Sequence, residues 1–226
     1  MKRLLGILCA GSLLLAGLPT STAAQEMTIQ DFVHQIYLEG IPYEEANAYD
    51  ASVVDSLMAM LADSTQAPYW ANIAITLCII GDSSSVDPLL DFIKADAGTL
   101  SDEVYRAKSS AVMALGYLIN KTGDEKALNY LIESIDPGAW AQREVQYVGP
   151  FQANTAARDV DLSTMAMLGL ALSGRPEALE ALGSVTAPEG VVDDPLAAAA
   201  AAAREAHQQI ATDGLAEYYR KAQENQ

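Results

Sequence analysis

The feature that most constrains this chain is that it repeats itself. Three stretches share one plan: a helix rich in small residues, a turn carrying glycine, then a second, amphipathic helix. The first runs Thr76-Leu77-Cys78-Ile79-Ile80-Gly81-Asp82 and continues through Val86, Leu89 and Leu90. The second has Ala114-Leu115-Gly116, then Gly123-Asp124-Glu125-Lys126-Ala127-Leu128 and Leu131. The third has Met167-Leu168-Gly169, then Gly174-Arg175-Pro176-Glu177-Ala178-Leu179 and Leu182. Leu77, Leu115 and Leu168 occupy equivalent places, 38 and then 53 residues apart. Apolar residues at steps of three and four give each second helix one greasy stripe. A lone two-helix unit leaves that stripe wet, and stacked neighbours cover it, so about three units are the least that fold.

The flanks read as further helices, and strand-like alternation is nearly absent. Thr28 and Asp31 resemble a capping box, followed by Ile29, Phe32, Val33 and Ile36 on one face and a stop at Gly40 and Pro42. Ala51 to Ala62 forms the next helix on Val54, Leu57, Met58 and Leu61, ended by Asp63-Ser64-Thr65, with Pro68 in the first turn of its successor. Asp136-Pro137-Gly138 stops a helix, and residues 139–158 interrupt the period as an insertion. Asp194-Pro195 gives an N-cap with proline at the first helical position, and a helix then runs to about Ala211. Asp213-Gly214 breaks it before a last short helix with Tyr218 and Tyr219 and a polar, frayed end. The turn glycines are expected to take positive φ, and Ala114, Gly116 and Gly169 to let the helices of one hairpin approach closely.

These units resemble the HEAT repeat family, above all its short form with an Ala-Leu-Gly-x-Ile-Gly-Asp turn, which is also found in phycobilisome lyases. Residues 51–94 and 105–134 fit that pattern well, 160–183 acceptably, and the ends only as flanking hairpins. Cys78 stands where the family has glycine, four extra residues separate Gly116 from Gly123, and the third unit lacks the aspartate after its turn glycine. The resemblance implies an all-α fold, an α-solenoid of about four to five hairpins spanning 25–212, with 213–226 as a short helix and tail. It says almost nothing about activity.

Composition bounds the rest. Lys2 and Arg3, the uncharged apolar stretch Leu4–Leu18 and the small residues before Gln25 have the order of a secretory signal peptide. Cleavage after Ala24 and a periplasmic or secreted destination are expected. An uncleaved anchor is the weaker reading, because the apolar run is short for a bilayer span. Past residue 24, 11 basic residues face 30 acidic ones, a net charge of −19. Such a surface repels phosphate backbones, so the expected partners are proteins, basic or extended, and not nucleic acid. Cys78 alone remains, so no disulfide framework holds the fold.

Residues that carry chemistry are sparse and scattered along the chain. His34 and His207 lie 173 residues apart with no ligand spacing around them, so no zinc site is expected. Asp82, Asp87 and Asp91 lack the ligand order of a calcium loop and read as solvated helix ends. Cys78 in its apolar run reads as a small packing residue, and nothing marks Lys108 or Lys126 as a base. His34 and His207 read as surface or capping histidines. No catalytic residue, cofactor or metal is expected, and the chain reads as a non-enzymatic scaffold or adaptor. Two binding surfaces stand out. One is the insertion, with Trp140, Arg143, Tyr147 and Phe151, the residue types of binding hot spots. The opposing reading makes Trp140 and Phe151 a plug between units and leaves Arg143 and Tyr147 exposed. The other is the polar side of the second helices, Asp87, Asp91, Asn129, Glu133, Glu177 and Glu180, expected along a concave acidic face. The rival readings are a lyase-like enzyme, which needs an exposed and reactive Cys78, a chaperone, and a purely structural envelope or oligomer subunit.

Overall fold

A computed structural model describes residues 27–38, 40–143 and 145–224; the expected leader lies outside them. The described chain is mostly helical, with twelve α-helices and two short strands. In order they are α1 (Ile29–Val33), α2 (Tyr43–Asn47), α3 (Val54–Ala62), α4 (Trp70–Ile80), α5 (Val86–Lys94), β1 (Ala97–Thr99) and α6 (Asp102–Thr122). Then follow α7 (Glu125–Ser134), α8 (Pro137–Gln142), β2 (Gln146–Val148), α9 (Thr155–Ser173), α10 (Pro176–Ser184), α11 (Pro195–Asp213) and α12 (Leu215–Glu224). Short 3-10 turns, Ala51–Val53, Ser64–Tyr69 and Ser83–Ser85, lead into α3, α4 and α5, and Pro68 lies within the second of them.

The acidic composition has a local use at the helix starts. Asp50, Asp63, Asp82, Asp124, Asp136 and Asp194 each accept a backbone N–H two or three residues on, as do Ser101 and Asn154. Each such cap satisfies a backbone N–H that the first turn of a helix leaves without a partner. At the other ends, Gly123 and Gly174 take φ 68° and 61° as left-handed stops, as expected. Gly81 does not. Its φ is −66° and its constraint is space, because a Cβ there would sit 2.5 Å from Leu77 O.

The most extensive packing runs α4 against α6, α6 against α9 and α9 against α11. The second helices α5, α7 and α10 lie against this row, and the core fills the space between with Leu77, Leu89, Leu115, Leu131, Leu170 and Leu182, all fully buried. Gly116 and Gly169 do bring helices together, but those of successive units, not of one hairpin. A Cβ on Gly116 would meet Gly169 O at 2.0 Å, and one on Gly169 would meet Met113 O at 2.9 Å. Ala and Gly at the crossing let α6 and α9 approach backbone to backbone.

Ile36 and His207 also lie elsewhere than expected. Ile36 does not continue the stripe of α1: it is 89% exposed, because the helix ends at Val33. Asn72 Nδ2 on α4 donates to both Val33 O and Gln35 O at 2.9 Å, taking carbonyls that another helical turn needs. His34 then turns aside, stacks on Tyr69 at 4.0 Å and bonds Gln66 Oε1 at 2.7 Å. His207 is buried, not superficial. It belongs to the stripe Ala200, Ala203, His207, Ile210 that α11 buries, and its Nε2 donates to Arg175 O at 2.8 Å. Finally, α12 packs on α2. Tyr219 stacks on Tyr43 at 5.4 Å and shares a hydroxyl hydrogen bond with Tyr117.

Candidate functional site

The second helices divide cleanly into two faces. α5 buries Val86, Leu89, Leu90 and Ile93; α7 buries Ala127, Leu128, Tyr130 and Leu131; α10 buries Ala178 and Leu182. The same periodicity turns Asp87, Asp91, Asn129, Glu133, Glu177 and Glu180 to solvent. Two shallow grooves run between neighbours. One of about 460 Å³ lies between α5 and α7, floored by Leu90 and Tyr130 and walled by Lys94, Lys126 and Asn129. Another of about 460 Å³ separates α7 and α8 from α10, lined by Ile132, Ile135, Ala139 and Ala181. Glu133 belongs to both.

The face is less uniformly acidic than its sequence positions suggest. Lys126 pairs with Asp87, which holds the ammonium above the usual lysine range. Arg143 pairs with Glu133 at 3.0 Å and Arg175 with Glu177 at 3.5 Å. Exposed pairs of this kind stabilise little, yet they leave only two of the five carboxylates on this face, Asp91 and Glu180, without a salt bridge among the described residues.

The described residues of the insertion contribute to α8, β2 and the start of α9, and β2 pairs in parallel with β1. Trp140 is fully buried, its Nε1 donating to Ser134 O at 2.9 Å and to Ser163 Oγ at 3.2 Å. The plug reading therefore holds for Trp140. It fails for Phe151, which is 87% exposed, and Tyr147 takes the buried place instead. The reason is the two-residue period of β2: Val145, Tyr147 and Gly149 turn inward while Gln146 turns out. Tyr147 donates its hydroxyl to Ile93 O at 2.8 Å, and Phe151 is left beyond the turn that starts at Gly149. Arg143, expected to be exposed, is mostly buried, its side chain 13% exposed, with the guanidinium 4.1 Å over the Tyr130 ring and 5.3 Å from Trp140 and a bond to Tyr130 O at 3.2 Å. It reaches from the insertion onto the groove-lining Tyr130 and Glu133.

Beneath the insertion lies a charged cluster that residue types alone did not mark. Lys108 is fully buried on α6, its Nζ 2.9 Å from Asp96 Oδ2 and 2.6 Å from Phe92 O, roofed by the Phe92 ring at 4.6 Å and the Tyr147 ring at 5.3 Å. Burial pushes its ammonium below the ordinary lysine value, and Asp96 pulls the other way. Arg158 on α9 donates from Nη1 to Val145 O at 2.6 Å and Tyr147 O at 2.8 Å, and from Nε to Asp159 Oδ1 at 2.8 Å. Tyr105 donates to Asp161 Oδ2 at 2.6 Å, and burial with that carboxylate pushes its phenol far up. The signal was spacing: Tyr105, Lys108, Val112, Leu115 and Ile119 form one buried stripe of α6. The cluster's donors end on protein oxygens, so it braces the insertion.

Cys78 is fully buried beneath the first unit, and burial pushes its thiol far above the ordinary range. Among the described residues no three of His, Cys, Asp and Glu come together as metal ligands, and no helix is long and apolar enough to cross a membrane. Comparison of the chain with family models, curated proteins and solved structures gives no match.

Proposed function

We propose that this protein is an exported, non-enzymatic interaction module of the HEAT-like kind, an α-solenoid that holds an extended or basic protein partner along the outer face of α5, α7 and α10. The observation that carries this reading is the continuity of that face. Six polar side chains are exposed on three neighbouring helices, and grooves with apolar floors run between them. Clefts of this sort accept side chains of a strand laid across the helices, and the unpaired Asp91 and Glu180 favour cations at their margins. Arg143 is the part of the insertion that meets this side, through Tyr130 and Glu133. Export follows from the leader-like residues 1–24. The lyase-like alternative requires a reachable thiol, and the burial of Cys78 weighs against it; Ellman's reagent is expected to react with the folded protein far more slowly than with the unfolded chain.

The test is fluorescence anisotropy with a flexible Lys-rich peptide and a Glu-rich peptide of equal length. The Lys-rich peptide is expected to bind, and to bind more weakly as salt rises. The double variant Asp91→Asn, Glu180→Gln is expected to weaken it about fivefold, the size of two screened charge contacts. Equal binding of both peptides, or binding indifferent to salt, would overturn the reading.

A further inference from the structure

We propose that the outer edge of β1 is a docking edge, where an extended peptide bearing Lys or Arg adds a third strand by pairing its main chain with Ala97 and Thr99. β1 and β2 run parallel with Ala97 beside Gln146, Gly98 beside Tyr147 and Thr99 beside Val148, and Leu100 N donates to Val148 O at 3.0 Å. In a parallel ladder successive residues turn their backbone groups to opposite sides. Gly98 and Leu100 therefore face β2, and Ala97 and Thr99 face away from it. All three residues of β1 are exposed. A strand side with open N–H and C=O groups is a template for another chain.

The two outer sides of this small sheet are treated differently. On β2 the outward carbonyls of Val145 and Tyr147 are both taken by the buried Arg158 guanidinium, which closes that side to any further strand. On β1 no side chain among the described residues does the same. The open side is nevertheless held in place. Asp96, at φ 77°, is the one described non-glycine residue in the left-handed region, a conformation that persists only where its surroundings fix it. Its carboxylate is gripped by the buried Lys108, which also holds Phe92 O, while Tyr147 holds Ile93 O. Gly98 takes φ 81°, a backbone conformation that glycine adopts without strain, and holds the middle of the strand.

Charge selects the occupant. The exposed Asp102 and Glu103 follow β1 on a chain of net charge −17, while Asp96 before it is already answered by Lys108. A second copy of this chain would set those same acids against each other, whereas a peptide with Lys or Arg beside its paired residues meets opposite charge. This edge is separate from the outer face of α5, α7 and α10, and its use does not depend on that face binding anything.

The experiment is selection from a displayed library of peptides of about eight residues, long enough to run past β1 at both ends, with Lys at alternate positions and the rest randomised. Selected sequences are then made as free peptides, with and without N-methyl groups on alternate backbone amides. Enrichment is expected, with slower hydrogen exchange at the Ala97 and Thr99 amides. Methylation is expected to weaken binding about tenfold or more, the loss of two main-chain hydrogen bonds, and needs no protein variant. Thr99→Pro removes one outward N–H and is expected to weaken capture by a similar factor. Asp91→Asn with Glu180→Gln is expected to leave it unchanged. Equal binding of methylated and plain peptides, no enrichment, unaltered exchange at Ala97 and Thr99, or a dimer by light scattering that protects this edge without peptide would each overturn the proposal.

Discussion

At the scale of single residues, the strongest constraints are a missing side chain and a buried charge. Gly116 meets the Gly169 carbonyl at a distance where no Cβ fits. Gly116→Ala is therefore expected to lower stability by about 2–3 kcal/mol, since α6 and α9 must separate or bend; urea unfolding measures it, and a loss below about 0.5 kcal/mol would show that the crossing yields. Arg158 is the second case. Truncating it leaves Val145 O, Tyr147 O and the buried Asp159 carboxylate without their cation. Arg158→Met is expected to cost about 3–5 kcal/mol, as for other buried pairs broken from one side. Adding Asp159→Asn is expected to recover part of that loss, because it removes the orphaned charge; no recovery in the double variant would place the whole cost on the two carbonyls.

At the scale of elements, the insertion separates a packing residue from a surface one. Trp140→Ala empties a fully buried site with two hydrogen bonds, and about 3–5 kcal/mol of stability is expected to go with it. Phe151→Ala, on an exposed ring, is expected to stay within about 0.5 kcal/mol. Thermal melts of the two variants give the comparison, and similar losses in both would contradict this placement. The same segment shows what the sequence could and could not reveal. The helices around Leu77, Leu115 and Leu168 were legible, because apolar spacing and capping aspartates act locally. So were the six exposed polar positions of α5, α7 and α10, which follow from the same period. The inward turn of Tyr147 was not, because β2 has no pattern of its own length and exists only through pairing with a strand some 50 residues earlier. Nor were the partners of Glu133 and Asp87, since Arg143 and Lys126 reach them across the fold.

At the scale of the molecule, ionisation of tyrosine sets the alkaline limit. Burial pushes Tyr37 and Tyr130 up to about 12 and raises Tyr43, Tyr105, Tyr117, Tyr147 and Tyr219 above the ordinary 10.0. These phenols stay protonated in the fold where the unfolded chain ionises, so their contribution is complete below about pH 9 and is lost as pH rises past 10. Lys108, lowered by burial, works with the opposite sign but below its ordinary 10.5, so it does not offset the loss above that, and the buried Cys78 thiol, raised from its ordinary 9.0, adds to the loss. Urea midpoints are thus expected to fall steeply above pH 10, and a flat profile to pH 11 would show that the rings are wet. Three of those rings, Tyr43, Tyr117 and Tyr219, meet where the last helix touches one of the first. Chains made of like modules usually lengthen by copying one of them. Here a copied helix pair would carry α12 about 10 Å off, the width of a packed helix, and strip Tyr219 from both neighbours. The clasp thereby ties the spacing of α2, α6 and α12 together, and makes any helix added between them cost an aromatic contact.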